Sequence, residues 1–178
     1  MENRVLDQGD AEILYEMFHK SFGDSEGESE GILIGNLARE LALEIDDDRI
    51  VGYGTFDGRK LVGAIYFTRL YFVESVDVYM LAPVGVTTEC QNRGVGTSLI
   101  NWGISELLRR PVRFLVTYGD PDYYARFGFN QISEQTVKAP HSLSLPHGWL
   151  AREVGDCKIP RLSSKPKCVK QFNNSKMW

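Results

Sequence analysis

The chain has 178 residues, of which 43% are hydrophobic and 25% charged, and it carries a formal net charge of -4. These values fit one globular domain burying roughly 70% of its unfolded surface. They argue against a general nucleic-acid binder, which needs a basic footprint, and no run of about 18 apolar residues offers a membrane span.

The opening residues Met1-Glu2-Asn3-Arg4-Val5-Leu6-Asp7 lack the apolar core of a leader peptide. Asp10 can cap a helix over Ala11–Phe22, in which Ile13, Leu14, Met17, Phe18 and Phe22 fall at helical spacing and Gly23 marks the stop. Residues 24–31 are polar and glycine-rich and read as a mobile loop. Leu33, Ile34, Leu37, Ala38 and Leu41 make a second amphipathic helix. Asp46-Asp47-Asp48 lacks the ligand spacing of a calcium loop and reads as a solvated turn.

The period then changes to that of strands. Ile50–Phe56 and Leu61–Leu70 are rich in Val, Ile, Tyr and Phe and flank a hairpin signal, Asp57-Gly58-Arg59-Lys60. Val76–Val86 reads as a third strand, with Pro83 marking a bulge or an edge because proline has no N–H to give a ladder. A long helix over Gly96–Arg110 buries Leu99, Ile100, Ile104, Leu107 and Leu108 and ends at Pro111. Val112–Val116 is a strand, Tyr123–Phe127 a short helix closed by Gly128, and Phe129–Ile132 and Trp149–Val154 are terminal strands. The order implies a single α/β sandwich with a mixed sheet. A right-handed crossover makes the strands at Val76–Val86 and Val112–Val116 parallel.

Cys90, Cys157 and Cys168 are sparse, odd in number and without CxxC spacing. This is the usage of reduced thiols, and a cytoplasmic location is expected. From Asp156 to Trp178 six basic residues stand against one aspartate, a balance of +5 that leaves -9 on the rest of the chain. Such a segment can dock on the acidic body, sit near an anionic ligand, or be a solvated tail.

The most informative stretch is Val84 to Thr97, which runs from a strand end into a helix start and contains Gly94-Val95-Gly96. A helix N-terminus offers unpaired N–H groups and the positive end of a dipole, a setting suited to phosphate. The stretch lacks the GxxxxGK of a Walker loop and the third glycine of a dinucleotide fingerprint. On these grounds alone it is either a phosphate site of another kind or an ordinary helix start.

Gln91-Asn92-Arg93-Gly94-Val95-Gly96 resembles the Q/R-x-x-G-x-G/A motif of the GNAT superfamily of N-acetyltransferases. Leu81-Ala82-Pro83-Val84-Gly85-Val86 looks like the strand that precedes the motif there. Tyr118-Gly119-Asp120-Pro121-Asp122-Tyr123-Tyr124-Ala125-Arg126-Phe127-Gly128-Phe129 is similar to a GDPxYYxRFGF signature of one subgroup. The likeness covers roughly residues 1–135 and loosens beyond Pro140, so residues 136–178 are expected to be a divergent C-terminal segment of one acetyltransferase domain.

The resemblance implies a mixed, mostly antiparallel central sheet with a splayed parallel strand pair, flanked by helices on both faces. It implies acetyl-CoA as co-substrate and no metal. The pantetheine arm would pair with the main chain of Val84 and Val86, and the Val86 N–H would face the thioester carbonyl, where a fixed donor stabilises the growing oxyanion. The amides of Gln91, Asn92, Arg93, Gly94, Val95, Gly96 and Thr97 would hold the pyrophosphate, with the Arg93 side chain adding charge or facing solvent. Tyr124, four residues before Gly128, stands where the family places a tyrosine that protonates the departing thiolate.

No general base is identified. Glu74, Asp77 and Tyr79 lie near the acceptor-side strand. His19, His141 and His147 are isolated from one another, and Cys90 reads as packing. Three functions follow from these residues: an N-acetyltransferase acting on a small-molecule or peptide amine, a silent CoA-binding sensor or partner module, and a binder of some other nucleotide phosphate. Glu26, Glu28 and Glu30 hint at a cationic acceptor or are merely solvated. No nucleic acid or membrane is expected as a partner, and a homodimer is common in similar proteins.

Overall fold

The N-terminal apolar stripe folds as helix α1, Ala11–Glu26, in a computed structural model that describes all residues from Met1 to Trp178. Its buried face is Ala11, Leu14, Met17, Phe18 and Ser21, the three- and four-residue spacing of an amphipathic helix. Asp10 holds the N-cap position without making a capping bond. Its carboxylate accepts instead from the Asp7 amide at 3.1 Å and from Arg4 Nη2 at 2.8 Å.

Residues 24–31 depart from the expected mobile loop. Helix α1 continues to Glu26, Gly27 alone breaks it at φ +99°, and α2 spans Glu28–Ala42. The glycines that signalled a loop serve helix contact instead. A Cβ on Gly31 would lie 2.5 Å from the His19 carbonyl oxygen and 2.9 Å from the Cα of Gly23, so the two helix backbones nearly touch. Gly31→Ala sets two effects against each other. Helix propensity favours alanine by about 1 kcal/mol, whereas overpacking against a backbone atom costs about 1–3 kcal/mol. The clash involves main chain that cannot swing away, and the expected result is a melting temperature lower by about 4 °C. An unchanged or raised melting temperature in calorimetry would contradict this helix contact.

The strands are β1 (Glu2–Val5), β2 (Ile50–Asp57), β3 (Lys60–Leu70), β4 (Val78–Val86), β5 (Phe114–Tyr118), β6 (Asn130–Gln131) and β7 (Trp149–Glu153); α3 spans Val95–Leu107 and α4 Pro121–Ala125. They form a seven-stranded sheet in the order β1-β2-β3-β4-β5-β7-β6. The sheet is mostly antiparallel with one parallel pair, β4 with β5, as the crossover rule requires. That pairing runs from Val78↔Phe114 to Leu81↔Thr117, while β4 itself continues to Val86. Strand β1 was not expected from the sequence, because its four residues bury almost nothing and show no apolar alternation.

Strands β2 and β3 are buried along nearly their whole length, because helices cover both faces. The alternation of side chains shows this directly. Tyr66 of β3 reaches one face, where its hydroxyl donates to the Ala38 carbonyl of α2 at 2.8 Å and its ring approaches Phe18 of α1. Its neighbour Ile65 points the other way, against Gly103 of α3, and Tyr53 of β2 meets Trp102 edge-on at 5.2 Å on that same face.

The chain divides into two compact units. One comprises Met1–Phe67 with Pro83–Glu106, the other Thr68–Ala82 with Leu107–Trp178. In the second unit the segment beyond Pro140 has little regular structure but is tied down. Tyr71 and Lys167 exchange two main-chain bonds of 2.9 Å, and Glu74 accepts from the amides of Ser163 at 2.9 Å and Ser164 at 3.1 Å. The Trp149 indole donates to the Val137 carbonyl at 2.9 Å and the Trp178 indole to Phe172 at 2.9 Å. Lys158, Lys165, Lys167, Lys170 and Lys176 of the basic segment are exposed. No helix is long and apolar enough to cross a membrane.

Candidate active site

In the first unit, β4 ends in Pro83-Val84-Gly85-Val86, with Val84 and Val86 partly buried and Gly85 buried. A Cβ on Gly85 would come 2.9 Å from the Phe18 ring, so glycine is what lets α1 lie against the strand. The Thr87 amide donates to the Val62 carbonyl at 2.9 Å, and a 3-10 turn, Thr88–Cys90, follows. Cys90 is buried with Val62 and Val95, and Val86 packs on them.

The chain then bends through two left-handed residues, Asn92 at φ +57° and Gly94 at φ +79°. A Cβ on Gly94 would meet nothing within 4 Å, so its surroundings are open. The Ser98 amide donates to the Gly94 carbonyl at 2.9 Å as α3 begins. By helix geometry the amides of Val95, Gly96 and Thr97 ahead of it have no acceptor four residues back. Gln91, Asn92, Arg93, Gly94 and Thr97 are exposed, Gly96 is half-buried and Val95 is buried. Gln91 stands apart within this set. Its amide leans on the Thr88 carbonyl at 3.4 Å and its side-chain Nε2 donates to the Val86 carbonyl at 3.1 Å. The exposed donors at the positive end of a 13-residue helix suit a diphosphate.

In the second unit, Asp120 caps α4 by accepting from the Asp122 amide at 2.9 Å, with Pro121 in the first turn. This short helix carries Tyr124, which is 7% exposed and ringed by Tyr123, Phe127 and Phe129. Gly119 leaves room for the phenol ring, since a Cβ there would sit 2.7 Å from it. Burial pushes the Tyr124 hydroxyl up to about 12, and a hydrogen bond with Thr117 opposes the rise. Thr117 is itself fully buried, and its Oγ1 donates to the Leu81 carbonyl at 2.8 Å, at the last paired position of β4 with β5.

The carboxylates of Glu74 and Asp77 are both engaged. Bonds from Ser164 and Ser163 hold Glu74 down to about 2, and Asp77 pairs with Arg69. Tyr79 is buried. His19 Nε2 lies 3.0 Å from Glu28, and His141 Nε2 lies 3.0 Å from Asn173. No three His, Cys, Asp or Glu side chains gather as metal ligands would.

Over residues 2–132 the sequence matches the acetyltransferase (GNAT) domain family. The chain belongs to the GNAT acetyltransferases. The chain is 35% identical over 92 residues to the uncharacterized N-acetyltransferase YjhQ of Escherichia coli strain K12, an alignment taking in 49% of this chain and 51% of that one. The match thus spans about half the length of that relative. The GNAT protein YhbS of Escherichia coli, solved in complex with CoA, has the same fold, with a TM-score of 0.76, 21% identity, and 97% of this chain and 92% of that chain covered. A GNAT acetyltransferase of Brucella melitensis, solved with acetyl-CoA, superposes with a TM-score of 0.68 at 20% identity, covering 96% and 97%.

Thr117 and three residues of α1 carried no clear mark in the sequence. Ser21 Oγ donates to the Val86 carbonyl at 2.8 Å, Lys20 pairs with Glu89, and Asp24 accepts from Thr88 Oγ1 at 2.6 Å. The Lys20 ammonium holds Glu89 down to about 2. Ser21 had left a signal, since it is the polar residue in the stripe at 11, 14, 18 and 21.

Proposed function

We propose that this protein binds acetyl-CoA and transfers the acetyl group to a primary amine by direct attack on the thioester. The observation that carries the reading is the run of main-chain donors from Asn92 to Thr97, exposed at all but Val95 and Gly96, bent open by two left-handed residues and placed at the start of α3. The CoA and acetyl-CoA complexes of the two similar folds support it.

In this reading the diphosphate lies on the amides of 92–97 and the pantetheine on the main chain of Val84 and Val86. The Val86 N–H faces the thioester oxygen, an interaction worth a few kcal/mol in the transition state. The neutral amine nitrogen attacks the carbonyl carbon, forming the C–N bond and breaking the C–S bond. The amine proton passes to solvent or a base, because an ordinary amine with a pKa near 10.4 is almost fully protonated at neutral pH. The thiolate takes its proton from the Tyr124 hydroxyl, leaving free CoA, and the phenolate regains a proton from solvent.

Thermal melting with CoA, ATP and NAD tests the ligand class. CoA at about 100 times its dissociation constant stabilises the fold by about 2.7 kcal/mol. Protection by ATP or NAD and none by CoA would end this reading. An acetyl-CoA consumption screen over polyamines, aminoglycosides, amino acids and peptide N-termini tests the reaction. CoA protection without thiol release from any acceptor would instead make the protein a silent CoA-binding module.

A further inference from the structure

The face of α1 that packs on the sheet is apolar at Ala11, Leu14, Met17 and Phe18 and ends in a hydroxyl, Ser21, which is 4% exposed. A serine buried this deeply needs a hydrogen-bond partner. Its own helix offers one routinely, the carbonyl four residues back. Ser25, one turn later, makes that bond to the Ser21 carbonyl at 3.1 Å. Ser21 instead reaches out of the helix to the Val86 carbonyl at 2.8 Å.

The same oxygen also accepts from Gln91 Nε2 at 3.1 Å. A carbonyl has two lone pairs, and here each has a donor, one from α1 and one from the loop. Three further contacts lie beside this one. The Phe18 ring covers Gly85, Lys20 pairs with Glu89, and Asp24 holds Thr88. Two turns of α1 thus fasten residues 85–89, the stretch that joins the end of β4 to the turn before α3.

We propose that Ser21, acting with the Gln91 side chain, is a positioning residue for the acyl donor: it holds the Val86 carbonyl and so orients the main chain that leads to the donors at 92–97. This rests on the reading of those donors as the CoA site. Removing one grip loosens the Val86 carbonyl, and removing both frees it to rotate, which misaligns the main chain on both sides of it.

The test is titration calorimetry with CoA on the intact protein, paired with thermal melting. Ser21→Ala and Gln91→Ala each weaken CoA binding by about fivefold, the worth of one hydrogen bond. Because each grip partly substitutes for the other, the double variant loses more than the product of the two single losses. Ser25→Ala, whose hydroxyl bonds within its own helix, leaves the affinity unchanged. Gln91 is exposed, so Gln91→Ala reports even where Ser21→Ala proves poorly folded. A lowered melting temperature with wild-type CoA affinity in both single variants would reduce Ser21 to an ordinary satisfied core residue and overturn the inference. Failure of the unaltered protein to bind CoA is a different result, which removes the CoA reading itself and this inference with it.

Discussion

Tyr124→Phe is expected to lower kcat by about 100-fold while leaving the KM for acetyl-CoA near its original value, since a positioned proton donor contributes about 100- to 10,000-fold. The ring stays in place among Tyr123, Phe127 and Phe129, so the fold persists. Loss of the Thr117 bond costs about 1 kcal/mol of stability. The pH dependence gives an independent check. An acid must be protonated to act, and burial raises this phenol to about 12. The limb caused by its ionisation therefore lies near pH 12, and kcat does not fall through pH 10 as it would for an ordinary tyrosine. Pre-steady-state thiol release from the variant at the unaltered rate would remove Tyr124 from the chemistry. So would a limb near pH 10 that persists unchanged in the variant, because the acid would then be a different group.

Gly94→Asp is expected to weaken acetyl-CoA binding by roughly 30-fold, or about 2 kcal/mol, by setting a carboxylate beside the diphosphate. The backbone at φ +79° admits aspartate better than most residues, and a Cβ there meets nothing within 4 Å, so the fold tolerates the change. Gly94→Asn has the same shape without the charge and separates the two effects. A loss of a few-fold in the asparagine variant is the share of backbone and bulk, and the remainder is electrostatic. Raising the salt concentration recovers part of the aspartate loss, because the site is exposed to solvent. Equal losses for both variants, insensitive to salt, would argue that no anion sits there.

Both changes fall on residues that the sequence made conspicuous. Gly94 and Tyr124 lie in motifs where residue type and spacing are tightly limited by backbone conformation and chemistry, and β2 and β3 show in their Val, Ile, Tyr and Phe content and the hairpin signal between them. Ser21 and Thr117 are different. Each acts through the carbonyl of a residue far along the chain, Val86 and Leu81 respectively, and no local pattern encodes such a bond. Residues 24–31 were misjudged because glycine carries two meanings. It marks flexible turns, and it also marks places where two backbones come too close for a side chain, as at Gly31. After Pro140 the strand at Trp149–Val154 was legible and stands as β7, whereas the irregular remainder was not, for a related reason. Its order comes from the indoles of Trp149 and Trp178 and from the Tyr71–Lys167 bridge, none of which has a period.

The two rims of the sheet are short. Strand β1 offers four residues, among them the charged Glu2 and Arg4, and β6 offers two. Neither is a long, flat template on which another chain could lay its own strand, so runaway stacking of copies into fibrils is disfavoured at both borders. Copies of this chain that associate must therefore do so through side-chain surfaces rather than by extending the ladder.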